Sequence, residues 1–375
     1  MKKEQINERQ ISAAVFTALL SPMVRVLPRL AAILAGQWAW LCVLSALPVL
    51  AALELVLREL RRGMGPGEGA AALFPRVYGK VLGPVLLFVC AAWFIFYAGF
   101  VLRSGAERLT SAVYPHSGSE IFVLLTLGAA LAAVLGPLRA AVRAAAVLRM
   151  ALIAVLGAVI LLSVRNIETE NLFPLRLEDA RRLLPGMIPA ATVGGTAALF
   201  VFLRGYASPT EDASARPFFW HLLLFVASAT LLCLTTVGAF GEKLTARLAY
   251  PFFTMARDLS VHGTPKRFDA AVIALWVSAD YVMCVFLLRC AHETLRTALR
   301  LPQPERAGNK PLHMRDGRWL LWTEAAAAGL CALVLPSGAD ELRRWGEQFI
   351  PLIMNIFVFG GYPMLWLVGK LRKIL

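Results

Sequence analysis

Carboxylates are scarce in this sequence, with 24 Asp and Glu among 375 residues. Charged residues of both signs together make up 17%, where a soluble domain usually carries ~25%. Low charge and high apolar content exclude a disordered chain. Histidine occurs five times and cysteine six, never as CxxC and never in a joint cluster. That pattern argues against a zinc site or a disulfide framework. Cys42, Cys90, Cys233, Cys284, Cys290 and Cys331 all sit in apolar runs and read as small buried residues. HExxH, GxSxG and P-loop signatures are missing, so no enzyme, cofactor or metal is expected. No small-residue cleavage site follows the first apolar stretch, so a cleaved signal peptide is not expected either.

Apolar residues are what the chain has in excess. They make up 58% of it, the mean hydropathy is +0.66, and a lipid bilayer is the implied surrounding. Ten apolar runs are long enough, or nearly so, to serve as spans. They lie at about 11–30, 31–57, 83–102, 121–134, 141–164, 184–202, 218–240, 270–290, 319–335 and 349–368. The chain reads as an all-α membrane protein of ten helices, with short loops and no second soluble domain.

Lys and Arg outnumber Asp and Glu by 38 to 24, a net charge of +14. In a membrane protein this excess points to cytoplasmic loops and away from nucleic acid. With the N-terminus inside, 22 basic residues fall on inner segments and 14 on outer ones, so both termini are expected to be cytoplasmic. Leu244 to Leu259 reads as an amphipathic stretch at the outer interface. Residues 300–318 read as a mobile basic loop, and 61–72 as a flexible connection.

Two runs carry interruptions. The first contains Ser21-Pro22-Met23-Val24-Arg25 and Pro28; the sixth contains Pro185-Gly186, Pro189 and Thr192-Val193-Gly194-Gly195-Thr196. Proline removes a backbone donor, and paired glycines weaken a helix. Helices one and six are therefore expected to be broken. Matching breaks in two halves of five point to a transporter-type binding site, lined by Ser21, Pro22, Met23, Arg25, Thr192, Gly194, Gly195 and Thr196. A pair of proline-kinked structural helices is the alternative.

Ionisable groups inside spans are costly and need partners. Asp280 is expected to pair with Arg25 or Arg149, or to bind a coupling proton; a fixed structural salt bridge is the alternative. Arg149 and Arg289 are expected to snorkel toward the inner interface, and Glu54 to meet Arg58. Tyr97 lines or gates the pocket, or is a packing aromatic. All five histidines are placed at span ends or in loops.

Several segments in order along the chain resemble the spore germination permease family, the B subunits of GerA-type germinant receptors within the amino acid–polyamine–organocation superfamily. They are Ile11-Ser12, Leu27-Pro28, Gly79-Lys80-Val81-Leu82-Gly83, Leu102-Arg103 with Glu107, Tyr250-Pro251-Phe252 with Ala256-Arg257, and Trp276-Val277. The resemblance implies one permease-like domain over 1–375, built as a five-plus-five inverted repeat (10–164 and 184–370) with a central pocket between spans one, three, six and eight. It also implies a small amino acid-like ligand, A-type and C-type subunits as partners, and the inner spore membrane as location. A proton-coupled amino acid permease is the alternative function. Arg25 sets this chain apart from the small, glycine-containing stretch common in the family; it favours a carboxylate-rich ligand or is paired internally.

Overall fold

The computed structural model describes residues 6–375 apart from 66, 115, 208–216, 262–263, 266–267, 302–317 and 336–337. The expected basic loop at 300–318 therefore lies almost wholly outside the described residues.

Among the described residues the regular structure is helical apart from one small hairpin, β1 (Ser260–Val261) paired antiparallel with β2 (Thr264–Pro265). The first half contains α1 (Glu8–Ala35), α2 (Ala39–Ser45), α3 (Leu47–Arg62), α4 (Leu73–Ala112), α5 (Ser119–Leu135), α6 (Leu138–Ser163) and the one-turn α7 (Thr169–Leu172). The second contains α8 (Leu183–Gly195), a 3-10 helix (Thr196–Tyr206), α9 (Pro217–Arg247), α10 (Pro251–Arg257), α11 (Phe268–Ala298), α12 (Arg318–Val334), α13 (Ala339–Arg344), α14 (Ile350–Asn355) and α15 (Tyr362–Leu371). Two π-helical turns, Trp345–Phe349 and Ile356–Gly361, join the last three helices into one segment.

Every expected apolar run falls on helix. Seven described segments are long and apolar enough to cross a membrane, and the chain is an integral membrane protein. The first of them, Glu8–Arg62, holds two of the expected runs and bends at Gly36, so the boundary between those runs is at 36 and not at 30. α5 and α12, with 17 residues each, are about 26 Å long and fall short of a ~30 Å hydrocarbon core.

α1 and α11 form the centre. α1 packs on α6, α8, α9 and α11, and α11 packs on α4, α5, α6 and α12. The outward faces carry large exposed apolar side chains, among them Val85, Leu125, Met150, Leu330 and Leu352, as a lipid-facing surface requires.

Neither expected helix break has the expected form. α1 runs as one α-helix through both Pro22 and Pro28. Each proline leaves one carbonyl four residues back without its helix donor, but Ser21–Val24 and Val26–Pro28 are buried among neighbouring helices. The sixth run does not unwind at Gly194-Gly195. It tightens after Gly195 into an eleven-residue 3-10 helix, long for this geometry, whose runs seldom exceed 3–4 residues. Side chains from other helices serve its carbonyls: Tyr362 Oη donates to Ala198 O (2.6 Å) and Cys290 Sγ to Leu199 O (3.6 Å). Irregular backbone at this depth is thus enclosed by protein.

The breaks that do occur lie at glycines outside the expected sites. Gly79 (φ 88°, ψ −177°) interrupts α4, and Gly241 (φ 70°, ψ 165°) interrupts α9. Only glycine occupies this region of backbone space without strain. The stretch expected at the outer interface, Leu244 to Leu259, divides after Arg247, and its second part, α10, is mostly buried; Phe253 packs on Trp276 with ring centroids 5.2 Å apart. The 61–72 connection is likewise packed, with Ala70 and Ala71 buried.

Gly79→Ala should lower stability by about 1–3 kcal/mol from backbone strain alone, because a Cβ at Gly79 meets nothing within 4 Å. Gly128→Ala in α5, equally free of neighbours, should cause no loss. Thermal melts of both variants in one detergent check this pair.

Candidate functional site

Asp280 is mid-way along α11 and buried. Both of its carboxylate oxygens are engaged. Ser21 Oγ, from α1, donates to Oδ1 (2.5 Å), and the Arg108 guanidinium, from α4, donates to Oδ2. Asp280 therefore pairs with neither Arg25 nor Arg149. α4 runs to Ala112, ten residues past the expected span end. This extension turns Arg108, read from the sequence as a loop residue, inward onto Asp280 and over the face of Trp276 (5.5 Å). The signal for it was the i, i+4 spacing of Arg103 with Glu107 and Ser104 with Arg108, which continues a helix. Gly105 leaves room for the carboxylate, since a Cβ there would come within 3.0 Å of Asp280 Oδ2.

Arg25 is one turn along α1 from Ser21. Its Nη1 donates to Ser104 Oγ (2.5 Å), which also accepts from Arg108 Nη1 (2.8 Å). Its guanidinium is 5.4 Å from the centre of the Phe100 ring. Tyr97 stacks between Phe100 (6.4 Å) and Trp93 (5.7 Å), so it belongs to the aromatic wall beside Arg25. Two guanidinium groups and one carboxylate meet here, leaving one positive charge in excess.

Arg25 also lines a partly open cleft with Ser104, Glu107, Tyr250, Arg343 and Glu347. Each carboxylate of this neighbourhood has an arginine of its own. Glu347 is held by Arg29 and by Arg343 (3.7 Å), Glu107 faces Arg103 (4.0 Å), and Asp280 holds Arg108. Of the two arginines that line the cleft, Arg343 pairs with Asp340 and Glu347, whereas Arg25 makes no ion pair with a described carboxylate and its Nε is buried without an acceptor. An arginine in this state is a ready-made partner for a planar carboxylate.

The other expected site residues lie elsewhere. Pro22 and Met23 are buried on α1, with Met23 wholly enclosed in the core. Thr192 donates to Asn355 Oδ1 (2.7 Å), joining α8 to α14, and Thr196 donates back to Thr192 O (3.0 Å). Gly195 faces Phe359 and Val358 at close range. Gly194 lines a second, mostly apolar cavity with Ser12, Phe16, Leu19, His221 and Phe225. So the sixth run supplies helix packing and a separate cavity, while the charged cleft is built from α1, α4, the α9–α10 turn and α13.

Four other pairings differ from expectation. Arg149 Nη1 lies 3.2 Å from His221 Nε2, and His221 Nδ1 lies 3.0 Å from Ser12 Oγ. Arg289 is buried and donates to Gly136 O instead of reaching the interface. Glu54 is met by Arg61, not by Arg58. His292 is fully buried within α11, 3.3 Å from Glu324 of α12.

Removing one member of the Asp280–Arg108 pair should cost about 3–5 kcal/mol, because the other charge stays buried. Asp280→Asn and Arg108→Gln should each lower the melting temperature strongly, and the double variant should recover part of the loss. The cycle Asp280→Asn with Arg25→Gln should show a smaller coupling. Melting curves of the native protein and the five variants check both statements.

No curated protein matches the chain in sequence. Residues 5–304 match the spore permease family model, described as spore germination protein. The match covers four-fifths of the chain and ends before α12, so it includes α1, α4, α10 and α11 with Asp280, Arg108 and Arg25. Tyr250, Trp276, Arg103 and Glu107, among the residues that carried the resemblance, gather around the cleft or its immediate neighbours. The chain is a helical membrane protein that belongs to the spore germination permease family.

Proposed function

We propose that this protein is the germinant-sensing membrane subunit of a spore germination receptor, and that the cleft beside Arg25 takes the carboxylate of a small amino acid-like ligand. The observation that carries this reading is Arg25 itself, a cation on a cleft wall where every other charge is paired. Phe100 and Tyr250 offer apolar surface beside the charge. Ligand bound there touches α1 directly, and Ser104 and Arg108 connect it to Asp280 on α11. Binding thereby favours one arrangement of α1, α4 and α11, and the A-type and C-type subunits read the population shift.

The reading carries a topology with it: ten crossings in two inverted halves, 10–164 and 184–370, in the inner spore membrane with both termini cytoplasmic. Two observations support it. Glu8–Arg62 contains two apolar runs, and α5 and α12 are nearly long enough to cross. Burial of Arg103 and Arg108 removes them from the outer loop charges, and burial of Arg296 removes one from the inner. The inner excess is then 21 to 12. Asp280, with both oxygens engaged, is suited to holding helices and less to carrying a coupling proton, which favours sensing over proton-coupled transport.

Calorimetric titration of the purified protein with the L-amino acids should identify at least one that binds. Arg25→Gln should weaken that ligand by about 10–100-fold, the worth of one charged hydrogen bond, and the decarboxylated amine of the same ligand should bind the native protein no better. Unchanged affinity in Arg25→Gln would sink the assignment. Proton-driven uptake of the ligand into proteoliposomes would replace the sensor reading with the permease.

A further inference from the structure

α4 brings two groups to the Arg25 cleft whose hydrogen-bonding capacity is unused. The first is Glu107. Its Oε2 is 4.0 Å from Arg103 Nη2, beyond hydrogen-bond distance. Arg103 does not belong to Glu107 alone, because its Nη1 is 3.6 Å from Glu120 of α5. Arg103 Nε is buried without an acceptor. One guanidinium thus faces two carboxylates, and this side of the cleft carries one negative charge in excess. Glu347, the other carboxylate on the wall, is already held by Arg29 and Arg343.

The second is the hydroxyl of Ser104, a side chain that is 6% exposed. Arg25 Nη1 and Arg108 Nη1 both lie within hydrogen-bond distance of its Oγ. A guanidinium only donates, so Ser104 accepts in both contacts and both of its lone pairs are occupied. Its own hydrogen finds no acceptor among the described residues. Thr17, Ser163 and Thr192 each donate to the carbonyl one turn back in their helices, whereas Ser104 makes no such bond to Phe100 O. A buried donor without an acceptor therefore stands on the cleft wall beside Arg25.

The two groups complement each other in sign and spacing. Arg25 and Arg108 against Asp280 leave one positive charge, and Arg103 against Glu107 and Glu120 leaves one negative charge. Ser104 and Glu107 are three residues apart on α4, where side chains are neighbours at about 5–6 Å between Cβ atoms. A single α-carbon bearing a carboxylate on one side and an ammonium on the other bridges that interval.

We infer that the cleft recognises an α-amino acid as a zwitterion: Arg25 and the Ser104 hydroxyl hold its carboxylate, and Glu107 holds its ammonium. The inference rests on the carboxylate reading of the Arg25 cleft and adds Ser104 and Glu107 as specificity-determining residues. The ammonium gives Glu107 the hydrogen bonds that Arg103 is too distant to supply. A carboxylic acid without the ammonium leaves the charge of Glu107 uncompensated. An amine without the carboxylate faces Arg25.

Calorimetric titration with the L-amino acids, and with the 2-hydroxy acid of matching side chain for each one that binds, tests this. The 2-hydroxy acid has nearly the same shape and lacks only the positive charge. The native protein should prefer the amino acid by about 10-fold or more. Glu107→Gln should weaken the amino acid by a similar factor and reduce the preference to about twofold or less. Ser104→Ala should weaken both members of the pair alike and keep the preference. Equal affinity of the native protein for both members overturns the inference, and so does a preference that survives in folded Glu107→Gln. Unchanged affinity in Ser104→Ala overturns the role of its hydroxyl. If Glu107→Gln fails to fold, as judged by size-exclusion profile and melting, Glu107→Asp decides. Withdrawing the charge by one methylene should lower the preference several-fold while the 2-hydroxy acid binds as before, and an unchanged preference overturns the inference. These outcomes leave the carboxylate role of Arg25 intact, whereas binding of no amino acid at all removes both readings.

Discussion

Asp280 is a single carboxylate in an apolar interior, and the packing of three helices follows from satisfying it. Water does not reach it, so its partners must come from the protein. Ser21 brings α1 to one oxygen, and Arg108 brings α4 to the other. For Arg108 to reach it, α4 must stay helical well past its apolar run and carry its charged end into the fold. Once Arg108 is committed, Arg25 is left without an acid, and the cleft acquires its free cation. A buried ion pair contributes little net stability over an apolar substitute. Its effect here is specificity, since it admits one register of α1, α4 and α11 and penalises the others.

Backbone irregularity follows a related rule. Prolines in α1 and paired glycines in α8 leave carbonyls without helix donors, yet neither produces an open, unwound segment. The 3-10 helix after Gly195 passes between α11 and α15, and Tyr362 and Cys290 supply donors to its carbonyls. A long 3-10 segment is strained compared with an α-helix. It lies in the chain directly after the Gly194 cavity and ends at Tyr206, which reaches toward Glu293 beside the His292–Glu324 pair.

α11 therefore carries two polar centres of different character. The Asp280 centre is fully engaged and leaves its charge surplus on a cleft wall, which suits capture of an anionic group. The His292–Glu324 centre is closed and holds His292 Nε2 and Glu324 Oε2 buried without a hydrogen-bond partner. One is reached from a cleft and the other is enclosed by protein, although a single helix bears both.

Fold class and membrane location were legible in the sequence because a helix in lipid must satisfy its backbone locally and present apolar side chains throughout its length. Both demands leave a one-dimensional trace, and each of the ten apolar runs became helix. Asp280 also stood out, since a carboxylate in mid-span needs a partner wherever the chain folds. The partner itself was not legible. Arg108 is 172 residues away, hidden in what read as a loop, and the same holds for Arg149 with His221 and for His292 with Glu324. Glycine breaks at Gly79 and Gly241 left no mark in hydropathy, while the proline and glycine signals of the first and sixth runs were absorbed by packing. The sequence by itself determined which segments form apolar helices and that Asp280, in the middle of one, needs a partner. Tertiary structure alone decided which charge meets which, because in a medium without water that choice depends on the helices that happen to be neighbours.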